Sequence, residues 1–251
     1  ITRPDVIRQM HSAFLDVGVD VLETASFGSF STVLSEYNIS DKAYELNVEA
    51  ARLARETAND YEASGKARYV AGSIGPGTKL PSLGHIRFAE LRDAYIEQAR
   101  GLIVGGADLF LIETCMDLLQ IKAAMIACRR AMVAEGREIP IQVQVTMETT
   151  GRMLVGSEVG AALTAISAMK PDVFGINCAT GPAEMQEHLR YLSQNASMPI
   201  SVLPNAGLPS IVDGRTHYDL TPAELAKFHH HHVNDLGIGI VGGCCGTTPA
   251  H

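Results

Sequence analysis

Three cysteines carry the most reactive chemistry in this chain. Cys244 and Cys245 are adjacent in "VGGCCGTTP" (241–249), and Cys178 lies in "INCATGP" (176–182). Each run is apolar up to its sulfur and then turns to small residues, glycine and proline, the signature of a strand that ends there. Successive side chains of an extended strand point to opposite faces, so Cys244 and Cys245 reach one point only if the strand stops between them. Gly242, Gly243 and Gly246 supply the freedom for such a turn, positive φ included. Three soft ligands on one rim suit zinc, and three protein ligands leave a fourth position for a substrate. Taken alone, the adjacent pair fits a structural or redox role equally well. Cys178, at the matching place of another run, is what favours a metal. Cys115 and Cys128 read as small buried hydrophobes. Five scattered cysteines, an odd number, make no disulfide framework, so reduced thiols are expected.

The elements that must position these sulfurs repeat along the chain. A short β-branched run, a loop of small or polar residues and a longer helical pattern recur, with strand runs at 19–27, 67–76, 107–117, 139–147, 171–182, 199–207 and 237–246. Helical patterns occupy 3–18, 41–64, 89–105, 117–134, 158–169, 183–194 and 222–235, and runs this apolar between such helices predict a parallel sheet covered on both faces. The first helix has no strand ahead of it. Adding one gives eight, the number that closes a (β/α)8 TIM barrel, here lacking its first strand and truncated at its last helix. An open doubly wound sheet is the alternative. The barrel is favoured because polar or cysteine residues end many different strands ("ETAS", "GSIGP", "ETCMD", "NCATGP", "PNAG", "GGCCG"), whereas an open sheet needs them only at its crevice. The expectation is an α/β fold, with residues 1–251 as one barrel domain and a fragment of a larger chain.

Composition narrows the partners. Twenty Lys and Arg against 28 Asp and Glu give a formal charge of −8, which disfavours nucleic acid and anionic membrane surfaces. No apolar stretch approaches the roughly 20 residues that span a bilayer, and the N-terminus has no signal-peptide design. A soluble cytoplasmic protein is expected. "FHHHHVNDLG" holds four consecutive histidines, His229 to His232, which point around much of a helix and cannot all bind one ion, so they read as solvated surface. His85 and His217 fall in loops without visible partners.

"GINCATGP", "PNAGLP" and "VGGCCGTTP", in this order, resemble the signatures of the homocysteine S-methyltransferase family, in particular the homocysteine-binding module of its cobalamin-dependent members. "VAGSIGPGTKLPSLGHI" and "ADLFLIETCMD" are similar to that module too, so the resemblance spans nearly the whole chain. It implies a zinc-bearing barrel in which Cys178, Cys244 and Cys245 hold the metal and homocysteine binds through sulfur. Methyl transfer to that sulfur would give methionine, with methylcobalamin as donor on a separate cobalamin-binding domain and a folate-binding domain to recharge it.

Other positions follow from the same resemblance. Asn205 in "PNAG" either fills the fourth metal position when substrate is absent or is a turn asparagine before Gly207. Glu113 resembles the acid that receives the substrate ammonium, with a structural salt bridge as the alternative. Thr24 and Ser73 sit at strand ends where substrate contacts are expected, although Ala25 stands where the family usually has Asn, and an ordinary loop explains Ser73 equally well. The Asp-Gly-x-Met-Gly type loop that opens the family is absent. Other readings are a stand-alone enzyme using S-adenosylmethionine, S-methylmethionine or betaine, and an inactive zinc-binding remnant. A Schiff-base barrel enzyme is disfavoured, because no strand ends in Lys.

Overall fold

The computed structural model describes residues 2–62 and 65–251. The last two positions of the helix predicted over 41–64 lie outside the described residues. The chain divides into two compact units, Ile1–Ile112 with Leu119–Ile141 and Glu113–Leu118 with Gln142–His251.

The first unit opens with helix α1 (Pro4–Asp16), which starts on Pro4, where a missing N–H is harmless. Strand β1 (Val21–Glu23) pairs in parallel with β2 (Tyr69–Ile74), Leu22 opposite Val70. The short helix α2 (Ser31–Leu34) and the long α3 (Ala43–Glu62) connect them. Helix α4 (Phe88–Gly105) ends where Gly106 takes a left-handed φ of 100°. Strand β3 (Leu109–Cys115) lies parallel to β2, with Gly72 opposite Phe110, and is followed by α5 (Leu118–Glu135). Cys128, on α5, is fully buried, and burial raises its thiol pKa, which makes it the packed hydrophobe expected.

In the second unit β4 (Ile141–Val145), β5 (Val173–Asn177), β6 (Ile200–Leu203) and, after an antiparallel hairpin of β7 (Ser210–Val212) and β8 (Arg215–His217), β9 (Ile240–Val241) form the frame. β4 pairs with β5, β5 with β6 and β6 with β9, all parallel. Helices α6 (Val159–Ser167), α7 (Gln186–Asn195) and α8 (Pro222–Asn234) alternate with them. All five residues of β4 are buried, as a parallel strand covered on both faces requires, and the Gln144 amide donates to Ser201 Oγ at 3.0 Å while its Oε1 is buried without a hydrogen-bond partner among the described residues. Thr221 caps α8, and its side chain and that of Glu224 satisfy each other's backbone N–H.

Every predicted strand run thus contains a parallel strand, seven in all among the described residues. The hairpin was not predicted. His217, expected in a loop, lies in β8 and meets Asp219 at 3.1 Å. Among the described residues no helix is long and apolar enough to cross a membrane.

Candidate metal centre

β5 delivers Cys178 at its C-terminal end, and the turn after β9 delivers Cys244 and Cys245. Their sulfurs all lie within 4.8 Å of one another. Cys245 Sγ is 3.8 Å from Cys178 Sγ and 3.9 Å from Cys244 Sγ. All three are free thiols, since a disulfide needs about 2.05 Å. Around a tetrahedral ion with zinc–sulfur bonds of about 2.3 Å, neighbouring sulfurs stand about 3.8 Å apart. Donor chemistry and spacing both fit zinc.

The backbone is strained to reach this arrangement. Cys178 (φ 63°) and Ala179 (φ 59°) are successive left-handed residues, a region that disfavours side chains by roughly 1–2 kcal/mol each. Hydrogen bonds hold them there: Cys178 N donates to Leu203 O at 3.1 Å, Thr180 N to Cys178 O at 2.7 Å and Asn205 N to Thr180 O at 3.1 Å. On the facing turn, Cys244 N donates to Pro204 O at 2.8 Å, Ala206 N to Cys245 O at 2.9 Å and Thr247 Oγ1 to Cys244 O at 2.7 Å. Of the three glycines expected to supply positive φ, only Gly246 does so, at 81°, against the ring of Tyr218. Gly243 instead provides room, because a Cβ there would overlap the Thr247 side chain.

Asn205 is buried and grips both loops. Its Oδ1 accepts from Cys245 N at 3.1 Å, and its side chain also hydrogen-bonds the Cys178 sulfur. Cys178 is held down at about 6, first by the hydrogen bond with Cys244, with lesser help from Ala179 N, Cys245 and Asn205. Cys244 is driven up by that same interaction and by burial. Cys245 is raised by burial and then by the negative charge on Cys178. At neutral pH the cluster therefore carries one thiolate and two thiols.

Two further residues of this unit join the sulfurs, and neither was singled out in the sequence. Asn177, fully buried, accepts from Thr114 N and donates to Thr114 Oγ1, both at 2.8 Å. Its amide nitrogen also lies 3.5 Å from Glu113 Oε2 and 3.9 Å from Cys244 Sγ, placing the predicted carboxylate one residue away from the cluster. Glu113 itself is 5% exposed. Tyr218 hydrogen-bonds Cys245. Cys115 is buried like Cys128, and burial raises its thiol pKa.

Thr24 and Ser73 meet each other in the first unit. Ser26 Oγ donates to Ser73 O at 2.8 Å, so the 2.6 Å contact between Thr24 Oγ1 and Ser26 Oγ uses the threonine proton, and Thr24 Oγ1 accepts from Ser73 N at 3.0 Å. The hydroxyl thereby ties the end of β1 to β2. Nearby Glu23 is exposed at the end of β1, and the protein packed around it raises its carboxyl pKa by desolvation. Replacing Thr24 by Val should strand the buried Ser73 N–H and destabilise the protein by about 1–3 kcal/mol. Urea melts would measure the loss, and an unchanged midpoint would refute the tie.

The histidine run is not the solvated surface expected. His232 is fully buried and His229 half-buried, because α8 turns these two toward the protein. His230 and His231 face outward, against Asn234 and Asp235.

Residues 1–251 match the homocysteine S-methyltransferase family. Methionine synthase of Mycobacterium tuberculosis (strain ATCC 25618 / H37Rv) is 51% identical over 250 residues, and that of Mycobacterium leprae (strain TN) is 51% identical as well. The match takes in 100% of this chain but 21% of each relative, so the chain spans about a fifth of their length. Among solved structures, the metallated form of the homocysteine methyltransferase MmuM from Escherichia coli superposes with a TM-score of 0.80 at 21% identity, covering 100% of this chain and 83% of that one. Its oxidized form gives 0.78 at 22% identity, covering 98% and 82%. At such identities the likeness establishes the fold, the α/β barrel that the strand and helix repeat predicts.

Proposed function

This chain belongs to the homocysteine S-methyltransferase family, and we propose that it binds homocysteine and positions the thiol to receive a methyl group, giving methionine. The observation that carries this reading is the cluster of three free sulfurs, all within 4.8 Å of one another and two of the pairs at the spacing of a tetrahedral ion's ligands. Cys178, Cys244 and Cys245 would hold a zinc ion. When bound, zinc in a three-thiolate cradle supplies one open position and a Lewis acid that brings an incoming thiol below its usual pKa of about 8.5, while the thiolates keep electron density on the substrate sulfur.

The chain's own residues then bind and orient. Glu113, buried beside Asn177, offers its carboxylate to the substrate ammonium, a cation that offsets the penalty of enclosing the charge. Asn177 fixes that carboxylate relative to Cys244. Asn205, with its oxygen engaged by Cys245 N, holds the two cysteine loops together. Thr24 and Ser73 shape the strand ends of the first unit. We assign the methyl donor to methylcobalamin on a further domain, recharged from a folate-binding domain. The relatives' much greater length supports that arrangement, and reduced thiols suit the cytoplasm.

The test supplies methylcobalamin, S-adenosylmethionine, S-methylmethionine and betaine separately to the zinc-loaded chain with homocysteine, following methionine and proton release. Methionine from methylcobalamin supports the assignment. Product from one of the other donors moves the chain to the stand-alone type. Retained zinc without product or homocysteine-dependent proton release marks an inactive remnant and overturns the reading.

The charge state of the cluster makes a further expectation. With Cys178 already ionised at pH 7.5, zinc should displace about two protons from the protein, those of Cys244 and Cys245. Since Cys178 is held down at about 6, the number should rise toward three as pH falls below that value. Calorimetry in buffers of different ionisation enthalpy counts these protons, and three released at pH 7.5 would refute the assignment.

A further inference from the structure

His229 and His232, three apart on one face of α8, connect two loops that the sulfur cluster needs. Burial is the first cause that lowers both imidazole pKa values, taking His232 to about 4, so each ring is neutral near pH 7. A neutral imidazole has one donor and one acceptor, and the partners here determine which nitrogen is which. Gly242 O can only accept, so His229 Nε2, 2.7 Å away, carries the proton. His229 Nδ1 is then an acceptor, which makes His232 Nδ1, at 3.3 Å, the donor. His232 Nε2 must accept in turn, and it does so from Gln186 Nε2 at 3.0 Å. The second hydrogen of that amide goes to Pro182 O at 3.2 Å.

These bonds form one continuous chain, with donation running outward from Gln186 to Pro182 O on one side and through His232 and His229 to Gly242 O on the other. It starts at Pro182, four residues beyond Cys178, and ends at Gly242, two residues before Cys244. Gly242 is also pinned on its other side, its N–H donating to Val202 O at 3.1 Å. The carbonyls at the two ends belong to the loops whose sulfurs meet. The geometry points to a positioning role: the Gln186–His232–His229 relay sets the separation of the Cys178 loop from the Cys244–Cys245 turn and so tunes metal affinity. His229 and His232 are positioning residues: they hydrogen-bond each other, Gly242 O and the Gln186 amide.

This inference rests on the reading that the three cysteines hold zinc, and the experiment separates the two. Co²⁺ replaces zinc as a probe, because thiolate-to-cobalt absorption reports how many sulfurs bind and chelator competition gives affinity. His229→Leu removes the donor to Gly242 O, whereas His229→Gln keeps an N–H near the Nε2 position. We expect His229→Leu to weaken Co²⁺ and Zn²⁺ binding by about 10–100-fold, the usual effect of losing a partner that orients a ligand. His229→Gln should recover most of that loss. Gln186→Leu, at the far end of the relay, should weaken binding in the same direction. His232, wholly buried, is left intact so that folding is not at stake, and melting of the metal-free variants monitors stability independently.

A merely structural role would lower the melting temperature of metal-free His229→Leu and leave its affinity alone. Affinity within about threefold of wild type in His229→Leu, or equal losses in the Leu and Gln variants, overturns the relay while the cysteine site stands. Failure of the wild-type chain to show thiolate-to-cobalt absorption overturns the cysteine site and the relay with it.

Discussion

Replacing Cys178 by Ala should remove metal retention and methyl transfer together. Substituting residues that merely orient a ligand costs about 10–100-fold in metal affinity, so deleting one of three thiolates should cost more than ~100-fold, or more than about 2.7 kcal/mol. The fold should survive. Cys178 is not buried, and alanine keeps the Cβ that the left-handed backbone already tolerates. Cys178→Gly sharpens the test, because it relieves the strain at φ 63° yet removes the same sulfur. Both variants should lose zinc, and only the glycine should gain any stability. Cys128→Ala, in the other unit, should retain zinc and turnover. Zinc content after gel filtration and methionine formation measure these outcomes, and turnover by metal-free Cys178→Ala would refute the mechanism.

The sulfur site was legible because each cysteine follows an apolar strand run and precedes a turn, and because the family resemblance of the three motifs joined Cys178 to the Cys244–Cys245 pair as one ligand set. Parallel strands buried on both faces left long apolar signals, which is why all seven were found. What escaped detection did so for identifiable reasons. The β7–β8 hairpin has mostly exposed strands, hence no apolar period, and its one signal was "DG", with Asp213 at φ 50° and Gly214 at φ 74° as such a turn requires. Asn177 looks like an interruption of a strand, and only the fold shows Thr114, Glu113 and Cys244 around it. The histidines misled because four in a row carry no phase. The register of α8 alone decides that the first and fourth turn inward.

Gly175→Ala should be among the most destabilising single-methyl changes in the chain, although no sequence motif marks it. Gly175 lies in the middle of β5, opposite Ser201 of β6 and Gln144 of β4. A Cβ there would overlap the backbone oxygen and the Oγ of Ser201. The hydroxyl can rotate away, but the backbone oxygen can only move with its strand. Overpacking typically costs about 1–3 kcal/mol, occasionally more, and a backbone clash between paired strands should fall at or above ~3 kcal/mol. In a protein of this length that lowers Tm by about 6–12 °C. The effect should reach the site, because β5 ends at Asn177, next to Cys178, and β6 supplies the Leu203 oxygen that holds Cys178 N.

Ser201→Gly in the same chain removes the hydroxyl and leaves the carbonyl, so it should restore less than half of the lost stability. Gly239→Ala makes the contrast. Its new methyl would meet nothing within 4 Å and its φ is not positive, so its stability should stay within about 0.5 kcal/mol of wild type. A Gly175→Ala melt within about 2 °C of wild type would mean that β5 and β6 separate at little cost. The strand register could not then be what fixes Cys178 against the Cys244–Cys245 turn.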